Sequence, residues 1–153
     1  MDVRELYQEL ILDHGKRPRN FRVLNAATHT AHGHNPLCGD KLVLHLVLDD
    51  GGKITDAAFQ GAGCAISVAS ASMMTELLKN KTRDEAQKLF TYFHALATGE
   101  TTPAFPLNDT DTARLQALSG VRNFPVRVKC ATLAWHTLKA ALEGATTTST
   151  EGA

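Results

Sequence analysis

The sequence has no excess of charge of either sign: its 153 residues include 16 lysines and arginines and 16 aspartates and glutamates. Binding to nucleic acid, or to an anionic membrane surface, depends on a positive field summed over many side chains. A neutral chain therefore argues against both kinds of partner. The length is that of one domain, since domains typically contain roughly 100–200 residues.

A secretory start and a convincing transmembrane segment are also missing. The first ten residues, MDVRELYQEL, have neither the basic start nor the apolar run of a signal peptide, which predicts a cytoplasmic protein. Residues 57–75 carry no charge over a length that could cross a bilayer. Glycines, serines and Gln60 interrupt that stretch, and large aliphatic residues are few, so we expect no membrane helix.

Cysteine is scarce: Cys38, Cys64 and Cys130 form no Cys-x-x-Cys pair. An odd count in a chain of this type argues against a disulfide framework. Three isolated core thiols are one interpretation, because free cysteine is among the most buried residue types. All three, however, lie at boundaries between predicted elements, which favours a functional role.

Local patterns predict an α+β fold. The predicted helices cover residues 2–13, a stretch from Cys64 onward, 82–97, 111–119 and a last stretch from Pro125 onward. The predicted strands are an edge strand within 21–33 and a hairpin of residues 42–48 and 53–61. Strands cluster early and helices late, which indicates a small antiparallel three-stranded sheet with helices packed on one face. We assign residues 1–143 to one domain and the Thr-rich residues 144–153 to a disordered tail.

The settings of the three cysteines suggest a metal site. Cys38 lies in the turn NPLCGD, Cys64 begins a helix after Gly61-Ala62-Gly63, and Cys130 lies in the first turns of the last helix. Asp40, two residues after Cys38, points to the same side in an extended conformation. Together these residues supply three sulfurs and one oxygen, a plausible tetrahedral set for zinc.

Two points stay open from spacing alone. His34 could replace Asp40 as the fourth ligand, although His32-Gly33-His34 is typical of an exposed loop before a proline turn. Arg127, three residues before Cys130, could stabilise a thiolate on the same helical face or simply face solvent. The other histidines are expected on the surface or on a strand face: His29, His45, His94 and His136.

Three motifs, each around one cysteine, carry a family resemblance. NPLCGD at 35–40, GAGCAISVASASMMTE at 61–76 and FPVRVKCATLAW at 124–135 resemble the SufU-like proteins, the zinc-binding branch of the IscU/NifU-N-terminal-like iron–sulfur cluster assembly family. The resemblance runs from the first helix to about residue 142 and implies a SufE/NifU-like fold. HTAHGHN and the Thr-rich tail are not part of the pattern, and we assign no role to His29, His32, His34 or that tail.

The resemblance implies roles by position. Cys38, Asp40, Cys64 and Cys130 would be the zinc ligands, with Cys38 also the sulfur acceptor, and Arg127 would match an arginine that the family uses in its site. The implied function is a zinc-dependent sulfurtransferase that accepts persulfide sulfur from a SufS-type cysteine desulfurase, a pyridoxal-phosphate enzyme, and passes it to a downstream iron–sulfur scaffold.

Two alternatives to sulfur transfer remain. One is a scaffold on which a [2Fe–2S] cluster, or iron, is held by the same ligands; scaffold-type relatives have a histidine directly before the last cysteine, whereas this chain has Lys129. The other is a regulatory partner whose zinc site only holds the fold. The resemblance is compatible both with an enzyme and with a sulfurtransferase-like sulfur carrier that acts with a cysteine desulfurase.

Overall fold

The structure, a computed structural model, describes residues 3–37, 39–101 and 109–150. At its centre is the predicted hairpin: β2 spans Asp40–Leu48, β3 spans Ile54–Ala62, and the two strands pair antiparallel. One face of β2 is buried through its alternating leucines, Leu42, Leu44, Leu46 and Leu48.

The first strand lies later in the chain than predicted. β1 spans His29–Asn35 and pairs antiparallel with β2. His32 and His34 are exposed as expected, but they lie in this strand and not in a loop. Within the predicted range 21–33, Phe21 forms only an isolated bridge with Phe59 of β3. The predicted range therefore overlaps β1 at residues 29–33, but β1 is an inner strand of the sheet and not the predicted edge strand.

A fourth strand corrects the predicted sheet. β4 spans Thr147–Ser149 and pairs parallel with β1, so the strand order is β3-β2-β1-β4 and the sheet is mixed. The α+β class is confirmed, but three antiparallel strands are wrong. Disorder, predicted for 144–153, does not hold for residues 147–149. The physical reason is that backbone hydrogen bonds to the open edge of β1 hold this segment, which needs no apolar anchor.

The helices of the described part follow their local signals. They are α1 (Val3–Lys16), α2 (Ala65–Leu78), α3 (Arg83–Thr98), α4 (Asp109–Gln116) and α5 (Pro125–Leu142), with a 3₁₀ turn over Ser119–Asn123. α3 begins with a capping box, in which the Glu85 N–H donates to the Thr82 hydroxyl and the Thr82 N–H donates to the Glu85 carboxylate. None of these helices is long and apolar enough to cross a membrane.

The two helices that carry Cys64 and Cys130 are fixed to each other and to the sheet. The Ser70 hydroxyl of α2 donates to the Ala131 carbonyl of α5 over 2.6 Å and accepts from the Trp135 indole N–H over 3.0 Å. Gly33 lets α5 approach β1, because a Cβ at this position would overlap the Thr137 hydroxyl. The ends of α2, α5, β1 and β2 are thereby held in one place.

The first helix is about one turn longer than predicted. The predicted helix ends at residue 13, whereas α1 continues to Lys16. His14 is 2% exposed, and Gly15 lies directly against Ala65, which a Cβ on Gly15 would approach to 3.3 Å. Close packing on α2 thus outweighs the low helix propensity of glycine.

Candidate metal centre

The structure brings Asp40, Cys64 and Cys130 together. One carboxylate oxygen and the two sulfurs lie within 4.8 Å of one another. Asp40 is the first residue of β2, Cys64 is the N-cap of α2, and Cys130 lies in the second turn of α5. Asp40 and Cys130 are fully buried, and Cys64 is half-buried. Three separate elements therefore deliver one donor each to the same point.

Both oxygens of Asp40 are held by the protein. The Cys64 N–H donates to Oδ1 over 2.9 Å, and the Asn35 amide Nδ2 donates to Oδ2 over 3.1 Å. Gly63 permits this approach, because a Cβ there would overlap the Asp40 carboxylate. Since each carboxylate oxygen has more than one lone pair, these two bonds orient Asp40 and still leave acceptor capacity.

The local structure at Cys64 and at Gly39 also suits a metal site. The Cys64 side chain makes no capping hydrogen bond to α2, so its sulfur is not used by the helix. The N–H groups of a helix N-terminus carry partial positive charge, which suits negatively charged groups placed beside them. Gly39 has a φ of +71°, a left-handed conformation that suits glycine and allows the chain to enter β2 at Asp40.

The donor set fits a divalent cation. Asp40 makes no ion pair with a lysine, arginine or histidine among the described residues, and burying a carboxylate without compensating charge is costly. Two thiolates would add to the same negative charge. In a tetrahedral zinc site the ligand atoms lie about 3.5–3.8 Å apart, so small side-chain rotations bring these three into place.

The other predicted site residues, Cys38, His34 and Arg127, do not belong to this donor group as the structure describes it. Cys38 lies outside the described residues, and in the sequence it directly precedes Gly39. His34 is exposed on the face of β1 opposite to buried Asn35, and no described histidine belongs to the donor group. Arg127 is exposed at the start of α5. The proximity of Asp40 favours it over His34, and the ligand and site roles of all these residues stay predictions.

Asn35 is the residue that the sequence analysis missed. It is fully buried, and its Nδ2 donates to Asp40 and also lies 3.6 Å from the Cys130 sulfur. Asn35 and Asp40 are register partners at the end of the β1–β2 ladder. The symmetric placement of the two residues around the turn NPLCGD is a signal that could have indicated a cross-strand pair.

This fold and this centre of one aspartate and two cysteines define a small α+β protein built around a donor group that could hold a metal ion. The model of the NifU-like N terminal domain family matches residues 6–131. The chain therefore belongs to that family, as the three cysteine motifs indicated.

Individual relatives support the assignment. The chain is 42% identical over 134 residues to the zinc-dependent sulfurtransferase SufU of Bacillus subtilis, covering 88% of this chain and 87% of that protein. It is 38% identical over 141 residues to the iron–sulfur cluster assembly scaffold protein IscU of Streptococcus pyogenes, covering 92% and 85%. The crystal structure of FiSufU from Fervidobacterium islandicum AW-1 superimposes with a TM-score of 0.79 at 33% identity, covering 92% of this chain and 99% of that one.

Proposed function

We propose that this protein is a zinc-dependent sulfurtransferase of iron–sulfur cluster assembly. In this proposal Cys38, Asp40, Cys64 and Cys130 hold zinc, and Cys38 accepts sulfur from a SufS-type cysteine desulfurase. The observation that carries the proposal is the convergence of Asp40, Cys64 and Cys130 at one largely buried point, with Cys38 only two residues before Asp40 in the sequence. Similarity to a zinc-dependent sulfurtransferase supports the choice of zinc.

The chain's own residues prepare the site. Asn35 and the Cys64 N–H orient the Asp40 carboxylate. Bound zinc favours the deprotonated form of its cysteine ligands. The sulfur acceptor is therefore kept as a thiolate in the resting protein, without a general base.

The transfer itself is a thiol–disulfide type exchange. The Cys38 thiolate attacks the outer sulfur of the desulfurase's cysteine persulfide, and a new S–S bond forms on Cys38. The S–S bond of the donor persulfide breaks, and its electron pair leaves with the desulfurase cysteine as a thiolate. The electrons balance without an external oxidant, and the sulfur on Cys38 is ready for a downstream iron–sulfur scaffold.

Persulfide formation tests the proposal most directly. After incubation with a SufS-type desulfurase and cysteine, mass spectrometry should find one added sulfur atom, mapped to Cys38. The Cys38→Ala variant should acquire none. Arg127→Gln should retain zinc, because Arg127 is exposed and does not belong to the donor group. The variant should acquire sulfur more slowly, because the family resemblance implies that this arginine acts in the site. A wild-type protein that stimulates the desulfurase but never carries a persulfide would point to a purely regulatory partner.

A cluster scaffold is the second candidate. The similarity to a protein described as an IscU scaffold, over most of both chains, favours it, whereas Lys129 before the last cysteine weighs against it. Metal analysis of protein purified without added iron separates the two functions. Tightly held stoichiometric zinc supports sulfur transfer, and a labile cluster that moves to an apo-ferredoxin would reverse the order.

A further inference from the structure

A hydrogen-bonded chain links the C-terminal segment to the metal centre. The Thr150 hydroxyl donates to the Asn35 Oδ1 over 3.0 Å, while the Nδ2 of the same amide donates to Asp40 and lies against the Cys130 sulfur. Asn35 is fully buried, so solvent does not compete for its amide. One side chain thus contacts two of the proposed ligands on one side and the tail on the other.

Backbone pairing places Thr150 beside Asn35. α5 ends at Leu142, and Gly144, with a φ of +80°, turns the chain back toward the sheet. β4 then runs parallel to β1, and the Thr150 N–H donates to the His34 carbonyl over 3.1 Å. The position of the Thr150 hydroxyl therefore follows from the strand pairing and not from a chance surface contact.

The direction of the Asn35 amide is decided by these contacts. A carboxylate and a thiolate only accept hydrogen bonds, so the amide must turn its NH₂ group toward Asp40 and Cys130. Its oxygen is then aimed away from the centre, where the Thr150 hydroxyl satisfies it. Without that donor, a buried amide oxygen is left unpaired and the preference for this orientation weakens.

The geometry points to Asn35 and Thr150 as a positioning pair through which strand β4 sets the metal affinity of the centre. Neighbours of metal ligands orient the ligands and tune the affinity of a site. This inference rests on the proposed function only in that Asp40 and Cys130 bind metal; it does not require sulfur transfer. It also gives a role to the Thr-rich segment that the family resemblance leaves unexplained.

Three threonine variants of the full chain test the pair. Thr150→Val keeps the size and the β-propensity of the side chain and removes the hydroxyl, and Thr150→Ser restores the donor. Thr147→Val is the matched control, because Thr147 lies in the same strand, is exposed and pairs with His32. Zinc affinity is measured by chelator competition, cobalt binding by its absorption spectrum, and folding by thermal unfolding of the metal-free proteins.

We expect Thr150→Val to weaken zinc binding about three- to tenfold, as the loss of one hydrogen bond predicts, and to alter the cobalt spectrum. Thr150→Ser should restore both, and Thr147→Val should match the wild type. Asn35→Ala should weaken zinc binding further, by about 10–100-fold. The cobalt spectrum separates positioning from a merely structural role, since it reports the ligand geometry of the bound ion.

Two results would overturn the inference: wild-type zinc affinity and cobalt spectrum in Thr150→Val, or an equal loss in Thr147→Val. Failure of the proposed function looks different. If the wild type binds neither zinc nor cobalt, the metal centre itself is wrong, and the inference with it. If it binds zinc but Cys38 never carries sulfur, sulfur transfer fails while the positioning pair stands.

Discussion

Two polar groups in the interior of this molecule differ in electrostatic character. The first is the metal centre, where Asp40, Cys64 and Cys130 meet. The second lies between α1 and α2, where the His14 Nδ1 and the Ser72 Oγ are 2.7 Å apart; we refer to it as the α1–α2 network. Both are removed from solvent, and both lie where α2 packs against another element.

The polar groups of the α1–α2 network form hydrogen bonds with one another. The Ser72 oxygen accepts from the Arg19 N–H over 2.8 Å, so its own proton is available to the His14 Nδ1. The His14 Nε2 lies 3.8 Å from the Glu76 carboxylate, which is beyond hydrogen-bond distance. The His14 Nδ1, the Ser72 hydroxyl and the Arg19 N–H therefore pair with one another within the protein.

In the metal centre, by contrast, the donor groups do not satisfy one another. Its donors all become negative on deprotonation, and no basic side chain of the described residues forms an ion pair with Asp40. The comparison separates two uses of buried polarity. Groups that satisfy one another hold helices together, whereas groups that concentrate charge of one sign are arranged for a cation.

The largest expected effect is on metal binding. Asp40→Asn should weaken zinc binding by roughly a hundredfold or more, because a structural zinc site contributes about 10–16 kcal/mol through four ligands. The free energy of unfolding of the metal-free protein should change by no more than about 1 kcal/mol, since the variant removes a costly buried charge. Chelator competition and urea unfolding measure the two quantities.

Asp49→Asn is the control for that substitution, because Asp49 lies in the exposed β2–β3 turn and accepts two backbone hydrogen bonds that asparagine can also accept. A loss of several kcal/mol in metal-free Asp40→Asn, with zinc affinity intact, would show that Asp40 serves the fold and would remove the contrast between the two regions.

The reverse result is expected in the α1–α2 network. Ser72→Ala should lower the free energy of unfolding of the metal-free protein by about 1–3 kcal/mol, because it leaves the His14 ring and the Arg19 N–H without their buried partner. Zinc affinity should stay within about twofold of the wild type. Ser119→Ala, which removes a local hydroxyl contact to Gln116 near the surface, is the control. A fall in zinc affinity comparable to the loss of stability would show that the two regions are coupled.

The smallest effect concerns pH. Burial, followed by the positive charge of Arg19, holds the pKa of His14 below its ordinary value of 6.5. The unfolded chain therefore takes up a proton near pH 6.5 that the folded protein resists, and the free energy of unfolding falls as pH drops below that value. The slope from one such group is at most about 1.4 kcal/mol per pH unit.

His14→Gln should reduce this slope in metal-free protein, measured by urea unfolding between about pH 7.5 and 5.5. It should not abolish the slope, because burial also lowers the pKa values of His29, His45 and His136. The metal-free protein is used because acid also protonates metal ligands. An unchanged slope in His14→Gln would mean that the ring is not held neutral by its buried surroundings.

Local signals account for most of the fold. The alternating leucines of β2, the capping box at Thr82 and Glu85, and Pro125 in the first turn of α5 each fix one element through contacts only a few residues apart in sequence. The approach of Asp40, Cys64 and Cys130 could also be predicted, because Asp40 begins a strand and the two cysteines lie at or near the start of a helix, where the signals are local.

What could not be predicted depends on contacts distant in sequence. The pairing of β4 with β1 joins residues 115 apart, such as Thr147 and His32, through backbone atoms that every sequence has. The burial of His14 follows from packing on α2, although its spacing of four from half-buried Leu10 continues the inner face of α1. Asn35 was missed because its polar partners become visible only when α5 and the hairpin meet.

Strand β4 also has a consequence for self-association. The His32 N–H donates to the Thr146 carbonyl, and the His34 carbonyl accepts from Thr150, so the outer edge of β1 is occupied by the chain's own segment. A bare strand edge presents unpaired donors and acceptors on which another chain can add a strand. By covering that edge, residues 146–150 remove β1 as a template for strand addition and leave the three-residue strand β4 outermost on this side of the sheet, and very short edge strands are one way in which proteins limit edge-to-edge association.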